Sequence, residues 1–299
     1  MKIKVDGKDA TKYIGNASWS TDDDTNGQEM AFSSLILFDI GAQVKVSDGG
    51  KVRYLGTIIS MEENTLPPHA YKALDFSYNL KSDEIIQFKN LEADKAIKKL
   101  LSQNGIDCTV CSIPTKISKI YKGTIIEIMK DILTAAKKDQ GKAYFFEVDG
   151  AKVVVEEKKK IKITPTFLIE DDTPISRSIE AMKNEVKIVK DNEVLATASD
   201  SSSISRFGTL RTVEDAGENT NKAKAASVAA QELKDLNRAT SSKQMSLLVS
   251  DGYWDIKKNR LIQLKGGGLK GWYRIKASTH TVDGNIHKVD IEVSWDAKL

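Results

Sequence analysis

The chain has 299 residues, 40% of them hydrophobic and 29% charged, with 45 basic side chains against 42 acidic ones for a net charge of +3. That length supports one large domain or two to three ordinary ones, with a sizeable core that needs no disulfides. No apolar run approaches the roughly 18 residues that span a bilayer, and the start "MKIKVDGKDATKY" has no apolar segment behind its lysine. We therefore expect a protein made in the cytoplasm, with no signal peptide and no membrane partner, and a near-balanced charge that demands no polyanion.

From Met1 to about Leu80 the pattern is that of strands: "KIKV", "ASWST", "EMAFSSLILF", "AQVKVS", "VRYLGTIISM" and "YKALDFSY" alternate with "DGKD", "DDDTNG", "SDGG" and "NTLPPH". This predicts a small antiparallel barrel or sandwich. The period then changes to 3.6. Ala93, Ala96, Ile97, Leu100 and Leu101 predict a helix that stops at Asn104-Gly105, and Ile125, Ile128, Met129, Ile132, Leu133 and Ala136 predict a second one ending near Gly141. "KAYFFEVDGAKVVVEE" reads as a hairpin turning on Asp149-Gly150, so the middle zone is an α+β insert. The lysine run "EEKKKIKI" (Glu156 to Ile163) reads as a solvated strand edge with acidic neighbours, and no sequence-specific nucleic acid is expected.

Strands return after about Pro165 in "RSIEAMKNEVKIVK", "EVLATAS" and "KQMSLLVS", with one Ala-rich helix over about Thr220 to Leu236. Ala226, Ala229, Ala230 and Leu233 share a face there, and small residues permit close packing against a neighbour, within the chain or from another subunit. "AQVKVSDGGKVRYLGTIIS" (Ala42 to Ser60) lines up with "IQLKGGGLKGWYRIKAS" (Ile262 to Ser278), Gln43 on Gln263 and Tyr54 on Tyr273. Both read strand, glycine turn, strand, turn, strand, which suggests two related β modules flanking an insert. The expected fold is mainly β, with two tube-like antiparallel β-barrel modules around or interleaved with a small α/β domain. The expected divisions are 1–84, 85–164 and 165–299, with strands near 175–212 as candidates to complete the first module.

Several motifs invite chemistry and fall short of it. Cys108 and Cys111 have Cys-x-x-Cys spacing, but a zinc site needs a second pair and a redox thiol needs a helix N-terminus; on one strand the two would also face opposite sides. "GGGLKG", with Gly266, Gly267 and Gly268, fits Gly-x-Gly-x-x-Gly, but a strand follows it where a phosphate site requires a helix. "DDDTNG" matches half of a calcium loop, yet Ser33 stands where the closing glutamate belongs. Neither a nucleophile elbow nor a His-Glu-x-x-His motif occurs. No catalytic, metal or cofactor residue is assigned, and no cofactor is expected.

His280, Asp283 and His287 look like ligands until a turn is placed between them. A two-residue loop would set His280 opposite His287, but with Arg274 and Lys276 on the face of Val289, Ile291 and Val293. A three-residue loop with Asn285 left-handed pairs Thr281 with His287, Thr279 with Val289, Ala277 with Ile291, Ile275 with Val293 and Tyr273 with Trp295, giving one apolar face. It also pairs Lys276 with Glu292. That register puts the histidines on opposite faces, where they cannot share a metal.

Taken in order, "VDGKDATKYIGNASWSTD", "ALDFSYNLKSDEIIQF", "PISRSIEAMKNEVKIV", "SSSISRFGTLRTVEDAG" and "GWYRIKASTHTVDGNIHKVDIEVSW" span almost the whole chain. In this order the chain resembles the XkdQ-like baseplate hub proteins of contractile phage tails, PBSX-like defective prophages and R-type bacteriocins (tailocins), which are related to late control protein D and the T4 baseplate hub. The resemblance implies a non-enzymatic structural protein. It implies a homotrimer whose two tube-like modules per chain make a pseudo-sixfold ring between the tail tube protein and the central spike protein, with the insert facing other baseplate proteins. It also implies assembly in the host cytoplasm and residence in the virion or tailocin baseplate. Ala226, Ala229, Ala230, Leu233, Gly266, Gly267 and Gly268 are the candidate interface. The alternatives are a peptidoglycan- or polysaccharide-active tail protein, and a carbohydrate- or receptor-binding tail module.

Overall fold

Alternating apolar and polar side chains give a strand one buried and one open face. The computed structural model, which describes residues 1–21, 27–150, 152–158, 161–216, 220–250, 253–266, 268–283 and 286–297, is accordingly mainly β. The half-calcium motif at Asp22 to Asn26 lies outside the described residues.

The first part of the chain forms β1 (Lys2–Val5), β2 (Lys8–Asp9), β3 (Ile14–Thr21), β4 (Glu29–Ser34), β5 (Gln43–Asp48), β6 (Lys51–Glu62) and β7 (His69–Asp75). Their inward residues, among them Trp19, Met30, Phe32, Val44, Val46, Ile58 and Tyr71, make one core. "EMAFSSLILF" is not a single strand as expected. β4 ends at Ser34, whose Oγ accepts from the Ile36 N–H, and Leu35, Ile36 and Leu37 leave the sheet as an exposed loop.

The insert follows as β8 (Asp83–Gln87), β9 (Leu91–Glu92), α1 (Ala93–Gln103), β10 (Asp107–Val110), β11 (Lys116–Ile117), β12 (Ile120–Thr124), α2 (Ile125–Gln140), β13 (Tyr144–Asp149) and β14 (Lys152–Glu157). Both helices bury the residues that the 3.6 period selected. Thr124 and Glu127 close a capping box at the start of α2, and left-handed Gly141 ends it. These elements enclose a core of their own.

The remaining elements are β15 (Ile161–Ile163), β16 (Phe167–Asp172), β17 (Ser176–Ser178), β18 (Glu185–Lys190), β19 (Glu193–Ser199), α3 (Ser201–Phe207), β20 (Arg211–Asp215), α4 (Lys222–Leu236), β21 (Ala239–Val249), β22 (Arg260–Gly266), β23 (Leu269–Asp283) and β24 (Ile286–Ala297). "RSIEAMKNEVKIVK" splits into β17, which pairs with β21, and β18, which joins β19 and β20 in a separate three-stranded sheet. The strands near 175–212 therefore do not complete the first module. Val186 and Ile188 of β18 are covered by Ala225, Val228 and Ala229 of α4 instead. α3 was not expected, because a serine-rich segment carries no apolar period; Asp200 caps it by accepting from the Ser202 and Ser203 N–H groups.

Among the described residues, one fourteen-stranded sheet runs in the order β16-β21-β24-β23-β3-β4-β7-β6-β5-β1-β2, with β15, β17 and β22 attached beside it. The repeat noticed in the sequence is a repeat of connectivity. In the first module β3, β4, β7, β6 and β5 are successive neighbours, and in the second β16, β21, β24, β23 and β22 are, in the same chain order and all antiparallel.

Candidate functional site at the joint between the two modules

The duplication can be aligned residue by residue from the pairing. Val44 and Val46 lie opposite Gly56 and Tyr54, and Ile262 and Leu264 lie opposite Tyr273 and Gly271. Tyr54 thus corresponds to Gly271, and Gly56 to Tyr273, so the expected match of Tyr54 with Tyr273 is corrected by one exchange of tyrosine and glycine. Each tyrosine covers its own hairpin's glycine. A Cβ on Gly56 would overlap Tyr54 Oη and the Leu74 carbonyl, and one on Gly271 would lie 3.8 Å from the Tyr273 ring.

The two modules meet where the second half of β23 pairs with β3, Ser278 opposite Thr21, His280 opposite Trp19 and Val282 opposite Ala17. Thr21 Oγ1 and Ser278 Oγ are 3.0 Å apart and buried, which fixes the register at the joint.

The histidine hairpin differs from expectation. Asp283 pairs with Ile286, Val282 with His287, and His280 with Val289, while a bulge at Lys276 restores the expected Ile275 to Val293 pair. The register at the tip is slipped by one residue from the one supposed and the bulge absorbs the slip, so the Lys276 to Glu292 contact (3.1 Å) is kept, while Ser278, His280 and Val282 take the buried face in place of Ala277, Thr279 and Thr281. Both histidines consequently point inward. His280 Nδ1 lies 2.9 Å from His287 Nε2, and His280 Nε2 lies 2.8 Å from the Ile256 carbonyl oxygen. Trp19 stacks on His280 at 5.5 Å, and Trp254 stacks on His287 at 4.1 Å. Burial, helped by the neighbouring His287, pushes the His280 pKa down to about 3, so its ring is neutral. Among the described residues no group of three or more His, Cys, Asp or Glu could hold a metal.

Trp254 comes from the loop between β21 and β22 and reaches across the joint. Its Nε1–H donates to Asp48 Oδ2 (3.2 Å) at the tip of the β5–β6 hairpin, and Arg53 of β6 lies over its ring. The same loop ties down the insert. Arg260 and Lys257 both pair with Glu147 of β13 (3.0 and 3.2 Å), and Arg260 also pairs with Asp255. Despite its burial, the two cations hold the Glu147 carboxyl below the usual range.

The other sequence candidates lie elsewhere. Ala229 is sealed inside the core under α4 and Leu233 packs against it, whereas Ala226 and Ala230 are exposed. The buried face of α4 is Ala225, Val228, Ala229 and Glu232, one residue round from the face chosen, because β18 and β19 approach from that side. Gly266 and left-handed Gly268 sit at the β22–β23 hairpin with no helix after them; Gly267 lies outside the described residues. Cys108 and Cys111 do not face opposite sides. Both are half-buried free thiols against the insert core, and burial raises both pKa values, which disfavours thiolates. Sequence reasoning missed Trp254 and Arg260, whose roles depend on what the fold sets against them.

The comparisons agree with this architecture. "YqbQ" of Bacillus subtilis (strain 168) is 27% identical over 260 residues, covering 82% of this chain and 78% of the relative. The 43 kDa tail protein of prophage MuSo2 from Shewanella oneidensis superposes with a TM-score of 0.70 at 14% identity, over 98% of this chain and 97% of that one. A tail protein from Neisseria meningitidis MC58 gives 0.72 at 12% identity, over 98% and 95%. An E. coli type VI secretion component, described as structurally similar to the T4 tail proteins gp27 and gp5, gives 0.54 at 9% identity, over 100% of this chain and 77% of that one. The resemblance to tail proteins read from the sequence is borne out: this is a phage tail-protein fold, and, with a family model matching residues 17–294, the chain belongs to the YqbQ-like family.

Proposed function

We propose that the protein is a structural hub of a contractile tail or tailocin, a homotrimer whose six β modules form a ring between the tail tube and the central spike. The observation that carries this reading is the duplicated module, joined edge to edge within one sheet by β23 and β3. Two similar modules per chain let three chains present six similar positions around one axis, which adapts a sixfold tube to a threefold spike. We assign the modules to residues 1–84 and 165–299, and outward contacts with other baseplate proteins to the insert, 85–164.

The open face of the sheet supports the same reading. Opposite the cores it carries Ser18, Ser20, Ser33, Ser246, Thr279 and Thr281, and several of its charges are paired, Lys72 with Glu29 (2.8 Å), Lys276 with Glu292 (3.1 Å) and Lys288 with Glu170 (3.1 Å). Short hydroxyl side chains with neutralised charges make a smooth wall suited to the inside of a conduit. On this reading the protein performs no chemistry, assembles in the host cytoplasm and ends in the baseplate. Electron microscopy of assembled particles carrying a tagged chain tests it. The expected result is label on a ring at the spike end of the tube, and label anywhere else, or no ring, overturns it.

A further inference from the structure

Arg53 and Tyr54 are consecutive on β6 yet reach one cavity, although neighbouring strand residues ordinarily point to opposite faces. The reason is a bulge. The β5–β6 register moves from Val46 opposite Tyr54 to Ser47 opposite Val52, so Arg53 is an extra residue on β6, and a bulge of this kind re-aims side chains. Both residues line a cavity of about 230 Å³ where three parts of the chain meet: β6 of the first module, the Trp254–Lys257 loop at the joint, and the Val148–Gly150 tip of the insert hairpin. Two polar atoms there are buried with no hydrogen-bond partner among the described residues, Arg53 Nε and Tyr54 Oη. Tyr54 is 2% exposed, and its hydroxyl is set over Gly56, where a Cβ would overlap it. Arg53 rests on Trp254, its Cζ 5.7 Å from the ring centroid, and the indole is fixed in turn by its bond to Asp48.

Buried polar groups are nearly always paired, so two orphan donors on one cavity point to an acceptor that enters it. Charge narrows the choice. Lys257 on the same wall is taken by Glu147 (3.2 Å) and Asp255 (3.6 Å), whereas Arg53 has no ion pair among the described residues. A guanidinium matches a planar carboxylate in two parallel hydrogen bonds, and the Tyr54 hydroxyl adds a third donor. Asp75 and Asp149 also line the cavity, and their charges oppose a doubly charged phosphate more than a single carboxylate. The volume equals that of about eight waters, which suits an acid of a few carbon atoms. We propose that this cavity binds the carboxylate of a small free acid through Arg53 and Tyr54, and that its occupancy fastens the insert hairpin to the first module. The site lies within one chain and stands apart from the ring reading.

Calorimetric titration of the full chain, in a phosphate-free buffer, with propionate, acetyl-aspartyl amide or inorganic phosphate tests this. The expected result for propionate is one site per chain with a Kd of about 1 mM or tighter. Phosphate binds roughly tenfold more weakly or worse. Arg53→Gln abolishes the heat. Tyr54→Phe removes one oxygen and keeps the ring, so it leaves the circular dichroism spectrum unchanged and weakens binding roughly fivefold. Saturation with propionate also slows amide exchange at Asp149 and Gly150, because the hairpin tip forms one wall of the site. Binding of acetyl-aspartyl amide without propionate upholds the carboxylate site and makes an acidic peptide side chain its source. No heat from either carboxylate at about 10 mM overturns the site. Binding that neither variant changes, or phosphate binding tighter than propionate, overturns the assignment to Arg53 and Tyr54 as carboxylate donors.

Discussion

His280 uses Nε2–H to donate to the Ile256 carbonyl, so its neutral ring can only accept at Nδ1, and His287 Nε2–H supplies that proton. The pair is stable only while uncharged. With the folded pKa of His280 at about 3 and an unfolded value near 6.5, the unfolded chain binds the extra proton below that unfolded value. Stability is therefore fully present above about pH 6.5 and falls through the window down to pH 3, by about 2 kcal/mol at pH 5. Urea titrations between pH 5 and 7.5 check this, and His280→Phe removes most of the slope. These histidines illustrate what sequence can and cannot fix. Their tip position and apolar neighbours were legible, and His287 was expected on the apolar face, but the slip that ends at the Lys276 bulge turns His280 from the open face to the buried one.

At the scale of elements, strong local signals were read correctly. α1 and α2 bury the residues that their 3.6 period named, and Asn104-Gly105 and Gly141 end them, because capping and amphipathicity are local properties. α4 was located, but its buried face was misjudged by one residue, since an alanine-rich helix has no strongly apolar stripe and its neighbours choose the side. Contacts between elements far apart in sequence were not legible. Arg260 on β22 and Glu147 on β13 are both largely buried, and their pairing anchors the insert. Removing Glu147 takes a partner from both Arg260 and Lys257 and leaves them Asp255 alone, so Glu147→Ala costs roughly 2 kcal/mol, below the loss for a buried charge left with no partner. Hydrogen exchange should rise mainly across β13 and β14, and uniform exchange with unchanged stability would contradict the anchoring role.

At the scale of the whole molecule, the two modules are held by the β23–β3 pairing, by the Thr21–Ser278 and Trp19–His280 contacts along it, and by the indole of Trp254. Trp254 touches both, stacking on His287 of the second module and Trp19 of the first while donating to Asp48. Trp254→Ala removes a half-buried aromatic and costs about 2–3 kcal/mol, somewhat below the loss for a fully buried one. Denaturant titration measures the loss, and an increased radius of gyration in solution scattering shows the modules separating; an unchanged radius would mean that the β23–β3 pairing alone fixes their arrangement. The sequence by itself determined the mainly β class, the α+β insert, the presence of a repeat and the tail-protein resemblance, because these rest on periodicity, turn chemistry and ordered text. Only the tertiary structure decided that the repeat is one of strand order, that the modules share a sheet, and that Tyr54 and Tyr273 exchange places with glycines. The physical reason is that backbone pairing between distant strands is nearly indifferent to residue type, and register is set by bulges and cross-strand packing that exist only once the chain has folded.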